Sequence, residues 1–331
     1  HVVSLRSQRL RVSERVRALL PDRVWPISML HAYSNCPFTA YAAYLLGVKD
    51  EEDPDFDLSA ADRGSLIHSA LEKLVLSQVA STRANLQVGA QADSKPLTSA
   101  EAFDQAWAER RPRGWIPSER IRKAIREQVV ELLDRFLQSE ANYRALSGAE
   151  PAHVELDVQV DFEGVTFRGR ADRVDQHADG LVLIDYKTSS QVMSGGKSLE
   201  QARALQLPVY ALALRKQLHQ ELVAAYYLQL ASKQVTRSYG VFFQKWNKGK
   251  KSDEVEHPLS TLKSNSASLF REDPEVVWSQ FGSVVQKRVQ AMKSGDFSAV
   301  PADPSECAAC RYRTVCGVTR RMSAVAEGVG E

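Results

Sequence analysis

Residues 152 to 188 alternate with period two. In HVELDVQVDFEGVTFRGRADRVDQHADGLVLIDYKT, apolar and polar positions exchange along the chain, and the breaks fall at EG and HADG. Alternation places successive side chains on opposite faces of a strand, and glycine-containing pairs supply tight turns. The segment is predicted to be a three-stranded antiparallel meander. Upstream, the spacing is helical. ISMLHAYSNCPFTAYAAYLLG (27 to 47) carries a helical pattern broken at Pro37 and stopped at Gly47. An amphipathic helix is predicted over about 60 to 80, with two more at about 99 to 111 and 117 to 147. Downstream, a helix at about 198 to 217 precedes two strands, LVAAYYLQL and TRSYGVFFQ, and another helix spans about 274 to 294.

This order predicts an α/β chain whose central mixed β-sheet is flanked by helices. Residues 1–26 read as a basic helical lead-in, and 27–150 as a helical region carrying Cys36 and His68. Residues 151–245 read as a sheet-and-helix core, and 246–331 as C-terminal helices with a cysteine-rich tail. All of it from about 27 to 320 is expected to form one integrated domain.

Composition narrows the function classes. The 331 residues are 44% hydrophobic and 25% charged, with a net charge of +2. That is ordinary globular chemistry, and it excludes a bulk polycation. No apolar run reaches membrane-spanning length, and the N-terminus has no signal-peptide pattern. The first residue is His1, not Met, so the chain is expected to be an excised fragment or to begin with a tag remnant. The sequence holds no G-x-x-x-x-G-K-[ST] loop, so the chain is not itself an ATP-driven motor. A chain this poor in cysteine is not a disulfide scaffold, and a reducing, cytoplasmic location is expected.

The apolar run LVLI ends in Asp185, Tyr186 and Lys187. Asp185 and Lys187 are two apart, so they share a face. If HADG closes the preceding hairpin, Gln176 pairs with Leu181, and Asp172 then falls opposite Asp185. Facing carboxylates repel unless a cation lies between them. Oxygen ligands with water in the remaining positions suit Mg²⁺ or Mn²⁺. Lys187 would then orient or help deprotonate an attacking water and stabilise charge on a phosphate. The competing reading is ion pairing alone, Asp185 with Lys187 and Asp172 with Arg170 or Arg173.

Three of the four cysteines, Cys307, Cys310 and Cys316, read C-x2-C-x5-C, and the fourth is Cys36. Ligands so far apart suit one inorganic centre tying the N-terminal helices to the C-terminal tail. Four thiolates serve either an iron–sulfur cluster or zinc, and spacing alone does not choose. Two basic clusters carry tryptophan. One is Arg110, Arg111, Arg113 and Trp115, continuing into Arg120, Arg122, Lys123 and Arg126. The other is Trp246, Lys248, Lys250 and Lys251. Cations beside a stackable ring suit single-stranded nucleic acid, and a solvated charged face is the alternative.

The segments GRADRVD (169 to 175), LIDYKTS (183 to 189) and QLPVYALAL (206 to 214) resemble the PD-(D/E)XK nucleases. RGSLIHSALE (63 to 72) resembles the histidine motif of the RecB- and AddB-type members. The resemblance covers about residues 27 to 317. It implies a restriction-endonuclease-like fold and Mg²⁺- or Mn²⁺-dependent cleavage of DNA. It implies metal ligands at His68, Asp172, Asp185 and the Tyr186 backbone carbonyl, and more loosely at Glu155. Lys187 matches the catalytic lysine, and Gln206 and Tyr210 match the helix that supports the site. Cys36, Cys307, Cys310 and Cys316 match the ligands of a [4Fe–4S] cluster. The implied role is exonuclease action on single strands or DNA ends in repair or recombination, beside a helicase or helicase-like partner. The alternative is a DNA-binding or scaffold module that keeps the fold and cluster without catalysis.

Overall fold

The computed structural model describes residues 12–48, 58–86, 95–110, 118–188, 205–230, 235–243, 269–271 and 273–316. The chain enters through α1 (Glu14–Asp22), a two-residue strand β1 (Trp25–Pro26), α2 (Ile27–Asn35) and α3 (Pro37–Ala40). The helical pattern of 27 to 47 breaks at Cys36, which is extended at φ −160°, and restarts with Pro37. Proline lacks the N–H that a helix interior needs but is tolerated in a first turn. A π-helical turn, Tyr41–Leu45, follows, and Gly47 at φ 67° ends the run. Three long helices come next: α4 (Ala60–Leu86), α5 (Ser99–Arg110) and α6 (Glu119–Ser147). The Ser118 hydroxyl accepts the Ile121 N–H at the start of α6, and Gly148 closes it in the left-handed region.

The meander forms as its period requires: β2 (Glu150–Phe162), β3 (Val165–His177) and β4 (Gly180–Lys187). After it come α7 (Gln206–Leu218), β5 (Leu222–Leu230), β6 (Val235–Phe243), β7 (Leu269–Arg271), α8 (Pro274–Lys293) and a last turn α9 (Arg313–Cys316). One mixed seven-stranded sheet results, ordered β1-β3-β4-β5-β6-β7, with β2 also on β3. β4 and β5 are parallel, and α7 lies in the connection between them. The short strands β1 and β7 pair in parallel with β3 and β6. The predicted helix at about 198 to 217 is present from Gln206; its first residues lie outside the described part of the chain.

Alternation along β4 sorts the core into two layers. Val182, Ile184 and Tyr186 pack with α4, α5 and α6, against Leu71, Phe103 and Phe136. Leu181 and Leu183 pack on the other side with α2, α7 and α8, against Leu30, Leu214 and Trp278. All nine residues of β5 are buried, as befits a central strand covered on both faces. Each such aliphatic or aromatic side chain contributes roughly 1.5–3 kcal/mol on burial. Among the described residues, no helix is long and apolar enough to cross a membrane.

Candidate active site

The β3–β4 hairpin turns on Ala178 and Asp179, and its ladder runs from His177–Gly180 to Arg173–Ile184. Asp172 and Asp185 stand one step past that last rung, opposite each other in register. There the strands part. Instead of a ladder bond, the Tyr186 N–H donates to Asp172 Oδ2 at 2.7 Å. On the other side of β3, Glu155 falls between the Val154–Arg173 and Leu156–Ala171 rungs, so it faces Asp172 across the β2–β3 pair. Glu155 also has φ 51°, a left-handed conformation that non-glycine residues seldom adopt. Three acids therefore lie in one row across three neighbouring strands: Glu155, Asp172 and Asp185.

A helix from each layer closes on this row. From α4, His68 brings Nδ1 to 3.4 Å from Asp172 Oδ1, and its ring meets the Tyr186 ring edge-on. Ligand atoms of His68, Glu155 and Asp172 all lie within 4.8 Å of one another. From α7, Gln206 donates Nε2–H to Asp185 Oδ1 at 3.2 Å and accepts from Lys187 Nζ at 3.2 Å. Lys187 also pairs with Asp185 Oδ2, and its ammonium stands 4.9 Å from the centre of the Tyr227 ring. Tyr210, one turn after Gln206, packs on Gly169. A Cβ at Gly169 would sit 2.6 Å from Tyr210 Cε1 and 2.9 Å from its hydroxyl.

Of the two ion pairs that compete with a metal site, one is present and one is not. Asp185 does pair with Lys187. Asp172 does not take Arg170 or Arg173: Arg170 is drawn to Asp157 at 3.3 Å, and Arg173 to Asp175 at 2.6 Å. Asp172 is left to His68 and the Tyr186 amide.

The electrostatics follow from crowding. Burial pushes Asp185 up to about 6; Lys187 offsets this in part, and Asp172 adds to it. Burial, then Asp172 and Glu72, push Glu155 up to about 7. Burial works against a charge on His68, but the hydrogen bond and charge of Asp172, with Asp185 behind it, outweigh that and raise it. Glu155 and Asp185 are thus held above the usual carboxylate range chiefly by burial, a cost that a bound cation would offset. Oxygen donors with one imidazole suit Mg²⁺ or Mn²⁺.

Two neighbours of the row carry no clear signal in the sequence. Glu72 stands four residues after His68, hence on the same face of α4. It lines one open cavity of about 350 Å³ with His68, Glu155 and Arg110. His31 is pushed down to about 4 by burial first and by Lys187 second, which places α2 beside the site. Arg110 is the residue of the first basic cluster's named set that the structure brings to this cavity. Arg126, further along, is taken up by Asp104 at 2.9 Å. Arg111, Arg113, Trp115, Trp246, Lys248, Lys250 and Lys251 lie outside the described residues.

Cys36, Cys307, Cys310 and Cys316 line a second cavity, of about 340 Å³. All four are free and half-buried. Burial, then the nearby Cys36, Cys310 and Cys316 thiols, push the Cys307 thiol up. The N-terminal helices and the C-terminal tail also meet through hydrogen bonds here. Ala302 N–H donates to the Asn35 carbonyl at 2.7 Å, and the Tyr33 hydroxyl to that of Asp296 at 2.5 Å.

Among curated proteins, no sequence match is found. Among solved structures, one from Eubacterium rectale, named a "Putative exonuclease", is 10% identical, over 90% of this chain and 92% of that one, with a TM-score of 0.41. The structure of SSO0001 is 12% identical, over 85% and 94%, with a TM-score of 0.29. That of VC1899 from Vibrio cholerae is 11% identical, over 86% and 59%, with a TM-score of 0.19. Residues 25–317 match the family profile of the PD-(D/E)XK nucleases. With that match spanning most of its length, and with a mixed sheet flanked by helices, the chain belongs to the PD-(D/E)XK nuclease superfamily.

Proposed function

We propose that this nuclease is a Mg²⁺- or Mn²⁺-dependent deoxyribonuclease acting on single strands or DNA ends, in repair or recombination. The observation that carries the reading is the convergence of His68, Glu155 and Asp172 within 4.8 Å, beside Asp185 and Lys187. His68, Glu155, Asp172, Asp185 and the Tyr186 carbonyl would hold the cation. Once bound, a divalent cation supplies Lewis-acid polarisation of the phosphate and neutralises charge in the transition state. Lys187 places a positive charge where the attacked phosphate gains negative charge, and Gln206 fixes the lysine's direction by holding it and Asp185 together. Tyr210 buttresses that end of α7 against Gly169. Arg110, on the rim of the cavity that His68 and Glu155 share, holds a phosphate of the substrate strand.

The cysteine cavity fits a soft, four-thiolate centre. In this reading Cys36, Cys307, Cys310 and Cys316 hold a [4Fe–4S] cluster that staples the two ends of the chain and takes no part in cleavage. The reducing cytoplasm keeps such thiols available. A helicase or helicase-like subunit or domain would deliver the strand, since the chain has no ATP-binding loop of its own.

The test is degradation of labelled linear single- and double-stranded DNA by protein purified without oxygen, in Mg²⁺ or Mn²⁺. Cleavage that disappears with EDTA and in Asp185→Ala supports the reading, and the product ladder reports end preference. Binding without cleavage by folded, cluster-loaded protein would favour a non-catalytic module instead.

A further inference from the structure

Directly behind the acidic row, on the opposite side of the sheet, lies a second set of charges, three of them buried and the fourth, Arg237, nearly so. Arg173 and Asp175, two apart on β3 and so on one face, are 1% and 0% exposed; Glu140 of α6 is 3% exposed. Arg173 grips Asp175 with both prongs, Nε–H to Oδ1 at 2.6 Å and Nη2–H to Oδ2 at 2.7 Å. Its third nitrogen donates to Glu140 Oε2 at 2.5 Å. Arg237 of β6 donates to the other oxygen of Glu140 and to the Ser139 hydroxyl. The Tyr143 ring faces both guanidiniums, at 6.0 and 4.9 Å. Two cations and two anions balance, and they join α6, β3 and β6.

An apolar cluster of the same volume holds a fold at least as well as a buried ion set. What ions add is fixed geometry, because each partner accepts few directions. Here the geometry is handed to the active row. Arg173 is the residue after Asp172. The buried Tyr186 side chain shares the Arg173 face of the sheet, since Arg173 stands opposite Ile184 and Tyr186 is two residues on, while the Tyr186 amide holds Asp172 and its ring meets His68 edge-on. Asp172, His68 and the Asp185–Lys187 strand end are thus each one residue or one ring from the buried set.

We propose that Arg173, Asp175, Glu140 and Arg237 are positioning residues that set the metal-site geometry through Tyr186 and the Asp172 backbone. The proposal rests on the metal-dependent nuclease reading. In that role the network changes cation affinity and turnover, not DNA affinity.

The test pairs two variants with two readouts. Arg173→Met/Asp175→Asn removes the bidentate pair and keeps the site neutral, with Arg237 still on Glu140. Tyr186→Phe removes only the phenol. Mn²⁺ affinity is measured from the signal of free Mn²⁺, and cleavage as kcat and KM. For the double variant, Mn²⁺ affinity and kcat are each expected to fall about 10- to 100-fold, with KM for DNA within about threefold. Tyr186→Phe is expected to show the same pattern, about three- to tenfold. A folded double variant with parental Mn²⁺ affinity and kcat overturns the proposal. If the double variant does not fold, parental values in Tyr186→Phe overturn it. A parent chain that neither binds Mn²⁺ nor cleaves instead condemns the metal-site reading itself.

Discussion

The Tyr186 N–H donates to Asp172 Oδ2 at the point where the β3–β4 ladder ends. One oxygen of the acid is thereby fixed by backbone, and the other is left toward His68, 3.4 Å away. Asp172→Asn separates the two duties. The amide oxygen still accepts the Tyr186 N–H, so the fold should hold, with the melting temperature within a few degrees of the parent. The charge is gone, so cation binding suffers. Cleavage of labelled DNA is expected to fall by at least about 100-fold, the scale at which removing an electrostatic or acid–base partner acts. A variant retaining a tenth of parental activity would remove Asp172 from the proposed ligand set.

The raised groups give the metal-free protein a pH dependence of definite sign. Glu155 at about 7 and Asp185 at about 6 lie above their free values of 4.5 and 3.8. Folded chain therefore holds these protons more tightly than unfolded chain, and His68, also raised, has the same sign. Their contribution is full below about pH 4 and is lost as pH rises through 6 and 7. In EDTA, the melting temperature is expected to decline between pH 5.5 and 8, and less steeply in Glu155→Gln. Mn²⁺ displaces the protons, so its stabilising effect should be larger at pH 8 than at pH 5.5. An equal Mn²⁺ shift at both pH values would mean that the cation does not meet these acids.

Gly169 leaves no room for a side chain. A methyl there would lie 2.6 Å from Tyr210 Cε1 and 2.9 Å from Ile27 Cδ1. Gly169→Ala must push back the Tyr210 ring, which stands one turn from Gln206 on α7. Overpacking of this kind costs about 1–3 kcal/mol. The larger effect is expected in kcat, through displacement of Gln206 and hence Lys187. Tyr210→Phe leaves the ring in place and should lose less activity. Wild-type turnover in Gly169→Ala would show that the α7 end does not need its seat on β3.

Arg110 shares a cavity with His68, Glu155 and Glu72. A phosphate contact contributes an amount that salt screens, and it is blind to base identity. Arg110→Ala is expected to weaken single-strand binding and to lower the slope of log affinity against log salt by about one. The reduction should be the same for strands of different sequence. An unchanged slope would leave Arg110 as a solvated charge at the end of α5.

The three-stranded meander and the register of its β3–β4 hairpin were legible because alternation and a tight turn leave little choice. Once Ala178 and Asp179 are the turn, Gln176 must meet Leu181 and Asp172 must come opposite Asp185. The long helices were legible from their periodicity; the caps of α6, Ser118 and Gly148, are seen in the structure. The edge strands were not. Trp25–Pro26 and Leu269–Arg271 are too short for any period, and only tertiary pairing makes them strands. Spacing puts Glu72 on the His68 face of α4, but its closeness to Glu155, like that of His31 to Lys187, depends on how α4 and α2 pack. The charged residues of GRADRVD hid a division of labour. Asp172 turns to the row, while Arg173 and Asp175 turn to a buried network whose other half comes from α6 and β6.

The cysteine cavity sits on a seam that hydrogen bonds also hold. Ala302 reaches Asn35, Tyr33 reaches Asp296, and the Tyr312 hydroxyl reaches the Val48 carbonyl at 3.3 Å. Loss of a cysteine ligand should therefore loosen this seam rather than dissolve the two core layers. The proposed four-thiolate centre would add to these bonds, since the binding energy of such a centre appears as folding energy. Cys316→Ser, compared with cluster-loaded parent, is expected to lose the visible iron–sulfur absorption. Its melting temperature should fall by on the order of 5–10 °C, corresponding to a few kcal/mol in a chain of this size. Cleavage at 20 °C should drop far less than in Asp172→Asn, because no cysteine belongs to the acidic row. A parental melting curve in Cys316→Ser would reduce the centre to an ornament on a seam that holds by itself, and a loss of cleavage matching Asp172→Asn would give it a part in the chemistry.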